Sequence, residues 1–110
     1  MSDKFRKAIE AIDAALVVRQ DNFKALTIKG QILRHLGRFK EAEKVYKQSL
    51  DINRRYPNTV LNLGILYDIY MGEPEKALTI YQSYLKLPDK ADSPVKNWVV
   101  DLERRLKKGS

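Results

Sequence analysis

Apolar residues along this chain return at steps of three and four, the spacing that lines one face of an α-helix. The first stripe runs through Phe5, Ala8, Ile9, Ile12, Ala15 and Leu16. Continued along the chain, the same counting predicts six helices, over about residues 4–19, 22–36, 39–52, 57–71, 74–87 and 94–108. Gly37 and Gly72 fall where the second and fourth helices should stop, and glycine suits the left-handed residue that ends a helix. Pro57 and Pro74 fall at first helical positions, where a missing N–H costs nothing. Ser93 is the expected N-cap of the last helix, with Pro94 behind it. The fold class is all-α.

The helices also repeat as a group. Leu26-Thr27-Ile28-Lys29-Gly30 returns as Val60-Leu61-Asn62-Leu63-Gly64, with the two glycines 34 positions apart. Ala42 has Ala8 34 positions behind it, whereas Ala77 stands one position late. The extra residue lies between Gly64 and Gly72, and predicts either a bulge or one more C-terminal residue in the fourth helix. Gly30, Gly64, Ala42 and Ala77 are small enough to let helices approach closely. Tyr46, Tyr67 and Tyr81 are expected in the larger holes between successive hairpins, as core.

A period near 34 with small residues at fixed offsets resembles the tetratricopeptide repeat (TPR), over nearly the whole chain. The family's large apolar residue, leucine-glycine pair and tyrosine correspond to Val60, Leu63-Gly64 and Tyr67 in the second complete unit. In the first they correspond to Leu26, Lys29-Gly30 and Leu33. Ala42 with Tyr46, and Ala77 with Tyr81, match the second-helix alanine and aromatic. The departures touch packing: Lys29 replaces a leucine, Ser49 and Tyr84 stand at an alanine slot, and Arg54 stands where a proline is usual.

The resemblance implies an α-solenoid of antiparallel hairpins, read as one domain over 1–110. Its parts would be a half repeat at 3–20, repeats at 23–56 and 57–91, and a capping helix at 93–108. That capping helix should be apolar inside through Val95, Trp98, Val99 and Leu102, with Lys96, Asp101, Arg104 and Lys108 outside. The first helix lacks the partner that precedes it in a full repeat, so the chain reads as a piece of a longer array. Apolar surface around Ile9, Ala11 and Leu16 would then be left uncovered.

Charge and chemistry narrow the function. The net charge is +7, and between positions 19 and 55 ten basic residues face four acidic ones. That field favours acidic partners, and equally describes a solubilising surface. Cysteine is absent, and His35 is the single histidine, which rules out thiolate chemistry and histidine metal clusters. Glu41/Glu43 and Asp101/Glu103 are two apart on helices and point to different faces. No phosphate-cradling loop or nucleophile elbow occurs. The reading is therefore no enzyme, no cofactor, no metal and no small-molecule substrate. No stretch approaches the roughly 18 apolar residues that span a bilayer.

The resemblance implies a scaffold that binds a peptide or partner protein on the concave face, within a larger complex. The family's inner positions correspond to Lys24, Thr27, Gln31, Arg34 and His35 in the first unit. In the second they are Asn58, Leu61, Asn62, Ile65, Asp68 and Ile69. A peptide with a few apolar anchors and an acidic group would complement them. One subset of the family clamps chaperone C-termini with paired lysines, asparagines and an arginine. Here Thr27, Gln31, Ser93 and Asn97 stand at clamp positions and only Asn62 matches, so that ligand is disfavoured. The alternatives are self-assembly, as a homodimer through the N-terminal helix, and nucleic-acid binding through the basic face. The last would lose affinity steeply with salt, but the exposed lysines have no aromatics interleaved with them. Residues 61–68 and 101–106 also resemble the ends of small bacterial envelope-associated TPR proteins, which implies a cytoplasmic or periplasmic location.

Overall fold

A computed structural model describes residues 3–88, 90 and 93–109. The expected end of the second complete repeat, at 91, lies outside them. The described residues form six helices and no strand. They belong to two units, Met1–Arg54 and Arg55–Ser110, each with its own core.

The first unit holds α1 (Asp3–Val18), α2 (Phe23–His35) and α3 (Phe39–Ile52). α2 starts where Asn22 Oδ1 accepts a hydrogen bond from the Ala25 N–H at 3.0 Å, occupying one of the orphan donors of the first turn. It ends at Gly37, whose φ of 79° is open only to a residue without Cβ strain. The Gly37 N–H bonds Arg34 O and the Arg38 N–H bonds Leu33 O, the two bonds of a Schellman motif.

α2 and α3 bury Leu26, Leu33, Ala42, Val45 and Tyr46 between them. The Tyr46 ring lies flush on Gly30, where an added Cβ would sit 2.4 Å from Cε1. Polar groups join the same interface. Thr27 Oγ1 and Ser49 Oγ are 2.9 Å apart and each lies 2.9 Å from Phe23 O, so two hydroxyl protons are shared round a triangle. That explains a serine at an alanine slot, since alanine would leave Thr27 one partner fewer. α1 is held differently. It buries no residue, and reaches α2 through a 2.6 Å Lys29–Asp13 ion pair and the Phe5 ring on His35, centroids 4.6 Å apart.

The second unit holds α4 (Pro57–Ile65), which continues into a π-helical segment (Leu66–Tyr70), then α5 (Pro74–Leu85) and α6 (Val95–Lys108). Pro57 and Pro74 sit in the first turns, as their lack of an N–H allows. The π segment accounts for the extra residue. Past Gly37 the next N–H reaches five residues back, from Arg38 to Leu33; past Gly72 it reaches six, from Glu73 to Tyr67. Its core contains Val60, Leu63, Leu66, Tyr67, Ala77, Tyr81, Tyr84, Val95 and Leu102.

Tyr46 and Tyr81 are core, as expected, and each lies on the glycine of its own hairpin, Tyr81 with Cε1 2.5 Å from a Cβ added to Gly64. Two expectations change. Pro94, not Ser93, holds the cap position of α6, because proline fixes the turn one residue further on. Ser93 Oγ still accepts from the Val95 N–H at 3.4 Å. Trp98 is half-buried rather than core, since the α6 stripe that faces inward runs through Val95, Val99 and Leu102.

Candidate functional site

In the first unit, α2 presents Lys24 and His35 exposed, with Gln31 and Arg34 half-buried. Thr27 is not part of that surface: it is 1% exposed, drawn into the triangle with Ser49 and Phe23. His35 lies in the last turn of α2, and its ring meets Phe5 of α1.

In the second unit, Asn58 is exposed and Leu61 half-buried. Asn62 is buried, and its Nδ2 donates to Asn58 O at 2.7 Å and Asn58 Oδ1 at 2.9 Å, so its amide is turned along the helix. Ile65, Asp68 and Ile69 do come together. They line one side of a pocket of about 620 Å³, with Tyr81 of α5 and Trp98, Asp101 and Arg105 of α6 completing it. The π segment aims Asp68 and Ile69 into this pocket. A π turn places successive residues at a different angular step from an α turn, so the extra residue rotates them relative to Gly64.

The pocket has apolar walls and a polar rim. Ile69 is 67% exposed on one wall. Trp98 and Tyr81, also in the pocket lining, pack on each other with ring centroids 5.5 Å apart and planes tilted by 51°. The Tyr81 hydroxyl donates to Asp68 Oδ2 at 3.1 Å. Arg105 reaches Asp68 Oδ1 at 3.5 Å and Asp101 Oδ2 at 3.1 Å. Burial first, and then the charge and hydrogen bonding of Asp68, push the Tyr81 phenol well above its ordinary range, so it remains a donor.

Tyr81, Trp98, Asp101 and Arg105 were not among the residues expected to bind. A signal was present: Trp98, Asp101 and Arg105 are spaced i, i+3, i+7, one face of α6. No three histidine, aspartate or glutamate side chains cluster as a metal site among the described residues. None of the described helices is long and apolar enough to cross a membrane.

Comparison with known proteins gives a consistent picture. A family model described as tetratricopeptide repeat matches residues 21–90. Comparison with curated proteins finds no match. Among solved structures, the chain is similar to the first TPR of Spaghetti (RPAP3) bound to the HSP90 peptide SRMEEVD. The TM-score is 0.83 at 19% identity, over 96% of this chain and 82% of that one.

Proposed function

We propose, from the premise that this chain belongs to the tetratricopeptide-repeat family, that it is a scaffold binding an extended segment of a partner protein on the first-helix faces of its repeats. Domains of this family are in general non-catalytic interaction modules. The observation that carries the reading is the open pocket on the second unit, built partly from Ile65, Asp68 and Ile69 at the family's inner positions. On the first unit the exposed Lys24 and the half-buried Arg34 favour acidic side chains in the bound segment. An acidic chaperone tail is not the proposed ligand. Thr27 stands buried at one clamp position, and Asn62, the one matching residue, spends its amide on Asn58. The narrower resemblance of residues 61–68 and 101–106 supports a place in a larger assembly, cytoplasmic or at a bacterial envelope.

Selection from a random peptide library displayed on phage tests the proposal. Peptides carrying acidic and apolar residues should be enriched, and Lys24→Glu with Arg34→Glu should weaken them about tenfold while helicity is unchanged. Enrichment of nothing, or unchanged affinity of the folded double variant, overturns it.

A second reading rests on α1. Val17 and Val18 are 79% and 82% exposed beside a shallow pocket lined by Leu16, Gln20, Leu26, Gln48 and Ile52. Such a face favours association with a second copy of the chain.

A further inference from the structure

We infer that the pocket on the second unit is a subsite for a cationic side chain, an arginine or lysine of the bound segment; this rests on the peptide-binding reading above and names what that site selects. Its two carboxylates, Asp68 and Asp101, are faced by one cation, Arg105, so the lining carries one uncompensated negative charge. The Asp68 side chain is only 12% exposed, and withdrawing a carboxylate from water is costly unless a close cation or several donors compensate. Among the described residues it receives one hydrogen bond, from Tyr81, and an Arg105 contact of 3.5 Å, longer than the about 2.7–2.9 Å of a charge-assisted bond. A guanidinium or ammonium entering the pocket would close that gap.

The walls suit the rest of such a side chain. Ile69 offers an aliphatic surface to a methylene stem, and the half-buried Trp98 ring, packed against the buried Tyr81, attracts a cation through its quadrupole. Arg105 is itself 57% exposed and held at its other end by Asp101, so it can swing aside without being buried unpaired. A carboxylate in the same place would confront two aspartates against one arginine. A purely aliphatic side chain would fill the walls and leave Asp68 as it stands.

The library selection is therefore followed by a substitution scan of the enriched peptides. Trp98 is the single tryptophan of the chain, so its emission reports occupancy of the pocket directly. The expected result is an arginine or lysine shared by the enriched peptides, whose replacement by norleucine weakens binding about tenfold and abolishes the change in Trp98 emission. Asp101→Asn, on the exposed side of α6, should lower that preference severalfold without touching the core, and Asp68→Asn should remove most of it. Circular dichroism of both variants checks that each is folded. Peptides that bind without a cation, that prefer glutamate there, or that bind both folded variants as tightly as the parent overturn the subsite and leave the peptide-binding proposal standing. Enrichment of no peptide at all overturns both.

Discussion

A Cβ added to Gly64 would lie 2.5 Å from Cε1 and 2.6 Å from Cδ1 of Tyr81, whose ring is fully buried. Two effects oppose each other in Gly64→Ala. Helix propensity favours alanine by about 1 kcal/mol. Overpacking a core against a ring that cannot withdraw costs about 1–3 kcal/mol. The clash should win, so Gly64→Ala is expected to melt lower than the parent and to shift Trp98 emission, because displacing Tyr81 disturbs its ring partner. Gly64→Leu should unfold the second unit or cost more still. A Gly64→Ala protein as stable as the parent, measured by urea denaturation, would contradict this packing. Tyr81 carries a pH signature as well. Its phenol is raised in the folded protein by burial and by Asp68, above the unfolded value of about 10. A raised folded value means that the contribution is complete below about pH 10 and is lost as the pH climbs above it. Tyr81→Phe should lose about 1 kcal/mol at neutral pH with the hydrogen bond to Asp68. It should also show a shallower alkaline decline than the parent in urea midpoints taken from pH 7 to 11.

Elements differ in how firmly they are held. α3 buries Ala42, Val45, Tyr46 and Ser49, whereas α1 buries no residue fully, and its stripe of Phe5, Ala8, Ile9, Ile12 and Leu16 is only half-buried. Local opening free energy follows buried apolar contact, so α1 should be the first helix to fray. Hydrogen exchange is expected to be at least about tenfold faster along Asp3–Val18 than along Phe39–Ile52. Lys29→Ala should accelerate exchange in α1 and leave Pro74–Leu85 unchanged. The π segment is the opposite case, an irregularity locked in place. Leu66 and Tyr67 are buried at its start, and the N–H of Met71 bonds Leu66 O at 2.9 Å, so the extra residue is absorbed inside the helix instead of at its end.

Over the whole molecule, charge and apolar exposure are distributed unevenly. The stretch from 19 to 55 holds most of the positive excess, while the pocket of the second unit holds two carboxylates against one arginine. The two most exposed large apolar residues among those described are adjacent at the end of α1, Val17 and Val18, while Ile9 and Leu16, expected to be bare, are partly covered. If this end joins a second copy, sedimentation at rising concentration should show dimers, and Val17→Glu with Val18→Glu should abolish them. A monomer at every concentration, or a dimer indifferent to that change, would discard the self-association reading.

Much of this was legible without a structure because it depends on local and periodic information. Helix number, the two left-handed glycines at φ 79° and 61°, and the prolines in the first turns follow from side-chain spacing and backbone sterics alone. The 34-residue offset between Gly30 and Gly64 likewise announced a repeat before any contact was known. Packing decided the rest. Tyr81 and Trp98 carry the same apolar signal whether they are core or pocket wall, and only the packing of α5 against α6 places them beside an opening. Thr27 reads as a surface residue by register, yet the carbonyl of Phe23 and the hydroxyl of Ser49 draw it inside. The one-residue insertion was countable in the sequence, but its consequence was not. Whether it lengthens a helix or twists Asp68 and Ile69 into a site depends on which side chains the neighbouring helix leaves room for, and that is a property of three-dimensional packing.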